Sequence, residues 1–302
     1  MLSFLELKIF ADLAQEKNFV RTAELNYLTQ PSVSAHLKRL EEELKVKLFD
    51  RVPRKVSLTK DGEHLLPYAQ EVLLKCENLK TRAMRYKNIV KGDLRITTIY
   101  SIGIYELAPL LKKFMRSYPD IHLHLQYNGA SAIYDLVLNN KIDMGIVAYP
   151  EHHPKIQITP FATDRMVLIV PPNHRLAKKR SVFLKEIRNE KFITFDKDIP
   201  TRKAIDKILD KKGVRVSIRT TNENVDTLKK AVEIGLGIAI VPCKTVQEEV
   251  RKGTLIRIPF RDIKFERPLG ILTLKDRVMG HSAQLFINRL TAEGVKSTCR
   301  LD

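Results

Sequence analysis

Along the N-terminal part of the chain, apolar positions recur at helical spacing and are broken by short polar turns. Leu7, Phe10, Leu13 and Ala14 predict a first helix at about 3–15, and a second, shorter one runs from Val20 to Leu25. Asn26 follows at the position where a helix end favours a left-handed residue, a conformation Asn tolerates. Thr29 suits the cap of a third helix, with Pro31 in its first turn, where a missing N–H costs nothing. That third helix turns Val33, Leu37, Leu40 and Leu44 to one face. Further on, Leu65, Ala69, Val72, Cys76, Leu79, Ala83, Tyr86 and Val90 alternate at spacings of four and three. Such a seam argues for a long helix that pairs with a copy of itself across a dimer, the alternative being a helix packed on its own domain. Thr59 would cap it, Pro67 would kink its start, and it would reach about Lys91.

From Asp93 onward the pattern becomes alternating strands and helices. "LRITTI" reads as a strand, followed by a helix at about 104–117; "IHLHLQY" as a strand, followed by a helix at about 131–139; then comes the strand "DMGIVAY". The order repeats through "KFITF", "PTRKAIDKILDKKG", "VRVSIRT", "NVDTLKKAVEIG" and "IAIVP". Two such halves predict two α/β lobes with a cleft between them. The chain is expected to cross between lobes near 162–165 and back near 264–268, with "PLGILTL" and a helix near 281–293 rejoining the first lobe.

Ligands of open α/β sheets sit beyond strand C-termini, against helix N-termini. Ser101 and Ile102 follow the first strand; Asn128, Gly129, Ala130 and Ser131 follow the second. Pro200, Thr201 and Arg202 open one helix of the second lobe, and Asn222 with Asn224 opens the next. Hydroxyls, amides and free N–H groups of this kind suit a carboxylate, phosphate or sulfate-like anion. Helix capping by the same hydroxyls, and a solvent-facing Arg202, are equally good readings of those residues.

Charge then narrows the partners. The net charge is +18 and the sequence pI about 9.7, which favours polyanions or anionic ligands. The excess is spread out: residues 1–65 carry 11 Lys/Arg against 10 Asp/Glu, and residues 93–302 carry 36 against 23. Charge alone does not locate a DNA-binding face. Cys76, Cys243 and Cys299 lie far apart and are odd in number, so neither a metal pair nor a disulfide framework is expected, and a reducing cytoplasm fits. The first residues are charged and lack a cleavage site, and no apolar run is long enough to cross a bilayer, so no membrane partner is expected. His122 and His124 share one side of a strand without a carboxylate or Cys beside them, and His152 and His153 lie in a loop; no metal and no cofactor is expected. Nucleotide-binding and hydrolase motifs are missing, and no nucleophile or acid–base constellation presents itself, so an enzyme is not expected.

Helix, tight turn and helix in this arrangement place the N-terminal part of the third helix in a DNA major groove. Gln30 suits a base edge; Ser32, Ser34 and His36 suit bases or phosphates; Lys38 and Arg39 suit phosphate. Glu41, Glu42 and Glu43 lie too far along for the same groove. "DRVPRKVSLT" reads as a wing whose Arg51, Arg54 and Lys55 suit a minor groove or phosphate. An amphipathic hairpin with a solvated polar face and a solvated basic loop is the alternative.

The run from Phe19 to Ala69, through "AEL", "TQPSVS", "LKRLEEEL", "LFDR" and "LTKDG", resembles the N-terminal winged helix-turn-helix of the LysR-type transcriptional regulators. The resemblance covers essentially the whole chain. It implies an α/β protein overall: an all-α winged helix-turn-helix (1–58), a linker and dimerisation helix (59–91), and a two-lobed, periplasmic-binding-protein-like α/β domain that binds an effector (92–302). Lobe one would take about 92–163 and 267–302, lobe two about 164–266. It also implies that Gln30, Pro31, Ser32, Ser34, Lys38, Arg51 and Arg54 lie at the DNA. Lys45 stands where the family usually has Gly, and Ala35 where it often has Arg. "FDKDIPTRKAIDKIL" with "VEIGLGIAIVP" is similar to regulators of carbon fixation and of sulfur or cysteine metabolism. The expectation is a cytoplasmic, homodimeric or homotetrameric regulator that binds double-stranded DNA, a small anionic metabolite and RNA polymerase. The alternative from another class is an anion-sensing module whose N-terminal domain makes protein contacts.

Overall fold

The computed structural model describes residues 2–52, 55–86 and 92–294, with backbone alone at 51, 52, 55, 84–86, 293 and 294. The chain divides into two compact units, Met1–Lys87 and Asn88–Asp302. Three helices, α1 (Phe4–Glu16), α2 (Phe19–Leu25) and α3 (Gln30–Leu44), open the first. The Asn18 side chain starts α2 by accepting from the Val20 and Arg21 amides. Thr29 starts α3 by accepting from the Ser32 amide, with Pro31 in the first turn. Ile9, Ala23 and Val33 pack where the three helices meet.

The turn before α3 differs from the expectation. Asn26 keeps a negative φ of −103°, and Tyr27 takes the left-handed conformation at φ 54°. The Asn26 side chain is committed elsewhere: it donates to the Asp12 carboxylate (3.1 Å) and the Thr22 carbonyl (2.9 Å) and accepts from Lys8 (2.5 Å). Tyr27 is 98% exposed, so the turn imposes no packing on it.

Past α3, β1 (Phe49–Val52) and β2 (Lys55–Leu58) pair as an antiparallel hairpin, Phe49 opposite Leu58. Thr59 then opens α4 (Lys60–Tyr86), accepting from the Gly62 amide (3.0 Å) and donating to the Lys47 carbonyl (2.5 Å). Gly62 is required there, because a Cβ would lie 2.2 Å from the Leu48 carbonyl oxygen. The expected end of α4 near Lys91, and Val90, lie outside the described residues. So does Arg54.

In the second unit, β3 (Gly92–Thr98) leads into a short α5 (Tyr100–Ile102), a π-helical turn (Gly103–Leu107) and α6 (Ala108–Ser117). The helical stretch thus begins earlier than its expected start at about 104. Then come β4 (Ile121–Tyr127), α7 (Ala130–Leu138), β5 (Met144–Ala148) and a 15-residue β6 (Ile156–Val170). The second half contributes β7 (Lys191–Phe195), α8 (Pro200–Lys211), β8 (Ser217–Asn222), α9 (Val225–Glu233), β9 (Ile238–Pro242), α10 (Gln247–Lys252) and β10 (Ile256–Ile258). β11 (Glu266–Leu274) and α11 (His281–Gly294) close the chain.

Strand pairing separates two lobes joined through β6. Residues 156–165 of β6 pair with β11, which continues through β5 and β3 to β4. Residues 166–169 pair with β9, which continues through β7 to β8, and residues 168–170 pair with β10. β11 lies antiparallel in the first lobe, and α11 returns Ala283, Phe286 and Leu290 to that lobe's core. The apolar runs β5 and β9 are buried at every position, as strands covered on both faces must be.

One sequence expectation fails outright. Cys243, wholly buried after β9, is disulfide-bonded, while Cys76 is a free thiol. Distance along the chain excluded a disulfide on paper, but the fold decides which residues are near in space. His124 also has an acidic neighbour that its own strand does not supply, since Asp93 of β3 lies 3.4 Å from its Nε2.

Candidate functional site

The first unit presents the polar start of α3. Gln30, Pro31, Ser34, Lys38 and Arg39 are exposed on it. Ser32 is half-buried, its hydroxyl 3.0 Å from that of Thr29, so it belongs to the cap of the helix. His36 turns inward, its Nδ1 3.7 Å from the Glu6 carboxylate of α1. Lys38 lies 3.6 Å from Glu42 one turn on, both in water, which holds the lysine only weakly. Glu41 has the opposite fate. It is buried, accepts from the Leu48 amide and pairs with Lys47, both at 2.8 Å, and so fixes the start of the hairpin to α3. Arg51 and Lys55 lie on the two strands of that hairpin; their side chains are outside the description.

α4 divides the expected seam between two faces. Leu65 and Ala69 pack into the first unit's own core with Leu7, Phe10, Leu37 and Phe49. The outer face carries Tyr68 (68% exposed), Val72 (47%) and Leu79 (71%), with Ala83 also exposed and Cys76 half-buried. Tyr86 has no described side chain. Three large apolar groups thus stand in water along the outer face of α4.

In the second unit a cavity of about 320 Å³ opens between the lobes. Ser101, Asn128, Gly129, Ser131, Pro200 and Thr201 line it, as the strand-end argument expects. Three other expected residues do not line it. Ile102 is wholly buried in the lobe-one core. Arg202, 4% exposed, donates to Asp206 (2.8 Å) and to the Phe195 carbonyl (2.8 Å) and so ties α8 to the end of β7. Asn222 accepts from the Asn224 amide at 2.9 Å and shapes the turn into α9.

The residue that sequence reasoning missed is Arg267. It lies on β11, lines the cavity and is 1% exposed. Its Nη2 is 2.7 Å from Asp164 and its Nη1 donates to Ser101 (3.1 Å), while its Nε has no hydrogen-bond partner. The signal was weak: Arg267 directly precedes the apolar run from Pro268, but it follows Glu266 and reads as part of a charged strand start. Tyr149 also lines the cavity; burial pushes its phenol up to about 12, against the opposing pull of Arg267. α7 and α8 both start at the cavity without a side-chain cap, which leaves amide donors of their first turns available there.

Beside the cavity, polar groups cross from lobe to lobe. Tyr105 of the π-helical turn donates to Asp226 of α9 (2.5 Å) and accepts from Lys229 (2.8 Å). Lys229 also contacts Asp226 and Glu249, each at 2.8 Å, and Glu106 meets Lys244 at 2.7 Å. Burial opposes ionisation of Asp226 and Lys229 alike. Their mutual bonds, with that to Tyr105, outweigh it, holding the carboxyl below and the ammonium above their usual ranges. Burial, then donation to Asp226, raises the Tyr105 phenol.

Residues 4–63 match the bacterial regulatory helix-turn-helix of the lysR family, and residues 87–294 match the LysR substrate binding domain. The chain belongs to the LysR family. A LysR-type regulator binds DNA through the first of these domains and a small effector through the second. The chain is 30% identical to a probable RuBisCO transcriptional regulator of Guillardia theta, over 93% of each chain. A full-length OxyR variant from Pseudomonas aeruginosa shares the fold (TM-score 0.78, 23% identity) over 100% of this chain and 96% of its own. The CcmR regulatory domain of Synechocystis PCC6803, solved with 2-PG, superimposes on 69% of this chain and 100% of its own, at TM-score 0.64 and 24% identity. Among the described residues, no helix is long and apolar enough to cross a membrane.

Proposed function

We propose that this LysR-type regulator reads a dyad site in double-stranded DNA with Gln30, Ser34, Lys38 and Arg39 of α3, and that a small metabolite bearing an anionic group controls that binding from the inter-lobe cavity. The observation that carries the second half is Arg267: a buried guanidinium with a free Nε, meeting two uncapped helix starts in one cavity. Wing residues Arg51, Arg54 and Lys55 add minor-groove or phosphate contacts. Homodimers form along the outer face of α4 through Val72, Cys76, Leu79 and Ala83, and two dimers make a tetramer. The protein works in the cytoplasm and contacts RNA polymerase; relatives named as transcriptional regulators support a regulatory rather than a catalytic role. The relative named for RuBisCO and the CcmR domain solved with 2-PG support a metabolite of carbon metabolism as the effector.

The test is to retain fragmented genomic DNA of the source organism on the purified chain at near-physiological salt and sequence it. Enrichment of a few dyad-containing sites, whose footprints then change with a metabolite of the adjacent genes, is the expected result. Retention without sequence preference that vanishes with modest added salt would mean binding by bulk charge alone.

A further inference from the structure

The cavity walls run against the charge of the domain that holds them. Residues 93–302 carry 36 Lys/Arg against 23 Asp/Glu, yet the cavity is lined by four carboxylates and two cations. One of those cations, Arg267, already has its charge offset by Asp164 at 2.7 Å. The other, Lys203, is exposed. The four carboxylates, Glu151, Asp196, Asp198 and Glu223, make no ion pair with any described residue; the pairs that the lobes do form involve other groups.

Most of these groups are divided between the lobes, although Glu151 follows β5 in lobe one and the exposed Lys203 lies on α8 in lobe two. Arg267 and Ser101 belong to lobe one, Arg267 on β11 and Ser101 on α5. Asp196 and Asp198 lie between β7 and α8, and Glu223 between β8 and α9, all three in lobe two. A simple anion would satisfy the Arg267 Nε and the helix starts while facing the unpaired carboxylates. A cation alone would leave the buried Nε without an acceptor, which is costly for a group almost wholly removed from water.

We infer that the ligand of this cavity is a small zwitterion of the amino-acid class. Its carboxylate takes the Arg267 Nε–H, the Ser101 hydroxyl and the first-turn amides of α7, all in lobe one, and its ammonium faces Asp196, Asp198 and Glu223 of the opposite lobe. This rests on the cavity being the effector site and adds the second charge to the anionic group proposed above. A volume of about 320 Å³ is at the small end of ligand pockets and suits such a molecule. Because its two charges face different lobes, the bound molecule would bridge them, which is a differential contact favouring the closed arrangement.

The test uses the full chain with three sets of probes: the standard amino acids, their N-acetyl derivatives, and the anions phosphate, sulfate, succinate and 2-PG. Binding is measured by calorimetry and thermal shift. The expected result is that at least one amino acid binds and its N-acetyl derivative binds ten-fold or more weakly. The isosteric double variant Asp196→Asn with Glu223→Gln, altering groups on the cavity wall rather than the core, should weaken the amino acid about ten-fold and strengthen the anions. If an anion binds tighter than every amino acid, the zwitterion is overturned while the effector site stands. If no probe of any set binds, the proposal and the effector reading of the cavity fall together.

Discussion

Single residues set the stakes of both sites. The Arg267–Asp164 pair is buried on both sides, 2% and 3% exposed at the side chains. Removing one member strands the other charge, at a cost of about 3–5 kcal/mol. Arg267→Leu should therefore lose that much stability in urea titration, and Arg267→Leu with Asp164→Leu should regain most of it. An equal loss in the double variant would show that the pair is not what the arginine contributes. At the DNA face, Gln30 is exposed and makes no hydrogen bond to any described residue, so its amide is available. Gln30→Ala should cost about 1–3 kcal/mol of discrimination between the specific site and random DNA, leaving salt-dependent non-specific affinity intact. Equal losses on both DNAs would remove Gln30 from base reading.

At the scale of elements, the joints between them are informative. α3 ends on Lys45 at φ 58°, a left-handed position that favours glycine. The Lys45 amide donates to the Glu41 carbonyl, and the Glu41 side chain holds the next turn, so the surroundings enforce the strain. Lys45→Gly should raise stability by about 1 kcal/mol, read as a higher urea midpoint with an unchanged slope. The joint between the lobes is the Tyr105–Asp226–Lys229 cluster. Asp226 has a lowered carboxyl, so its contribution is present above its ordinary value near 3.8 and fades as pH falls through the folded value. Lys229 is raised, so its contribution is complete below 10.5 and fades only as pH rises through a still higher folded value. Both windows overlap from mild acid to mild alkali. Lobe closure, followed by small-angle scattering or hydrogen exchange at α9, should be flat between about pH 6 and 9 and loosen below about pH 4. Tyr105→Phe removes the bridging hydroxyl but leaves the Asp226–Lys229 contact, so it should weaken closure by about 1 kcal/mol at every pH in that window. A midpoint near neutrality would show that another group controls closure.

For the whole molecule, the deciding feature is the outer face of α4. Tyr68, Val72 and Leu79 stand in water there, while Leu65 and Ala69 are spent on the unit's own core. Leu79→Asp alters an exposed position, so the chain should keep its fold. It should sediment as a smaller species and lose affinity for a dyad more steeply than for a half-site. A variant that sediments unchanged would place self-association elsewhere.

The helices, the two lobes and the strand-end part of the cavity wall could be read from the chain, because they depend on local rules. Periodicity turned Val33, Leu37 and Leu40 inward; Thr29 and Thr59 cap the helices that follow them; strand ends put Ser101, Asn128 and Thr201 at the cavity. Other facts needed the tertiary structure. Asn26 gives up the left-handed turn because Lys8 and Asp12, distant in sequence, claim its side chain. Arg202 becomes a strut because Asp206 and the Phe195 carbonyl reach it first. Cys243 is bonded, and Arg267 meets Ser101 across 166 residues. Local pattern determines which element a residue joins and which way it faces. The partner that satisfies a buried charge or amide comes from another element, and only the packed chain brings the two together.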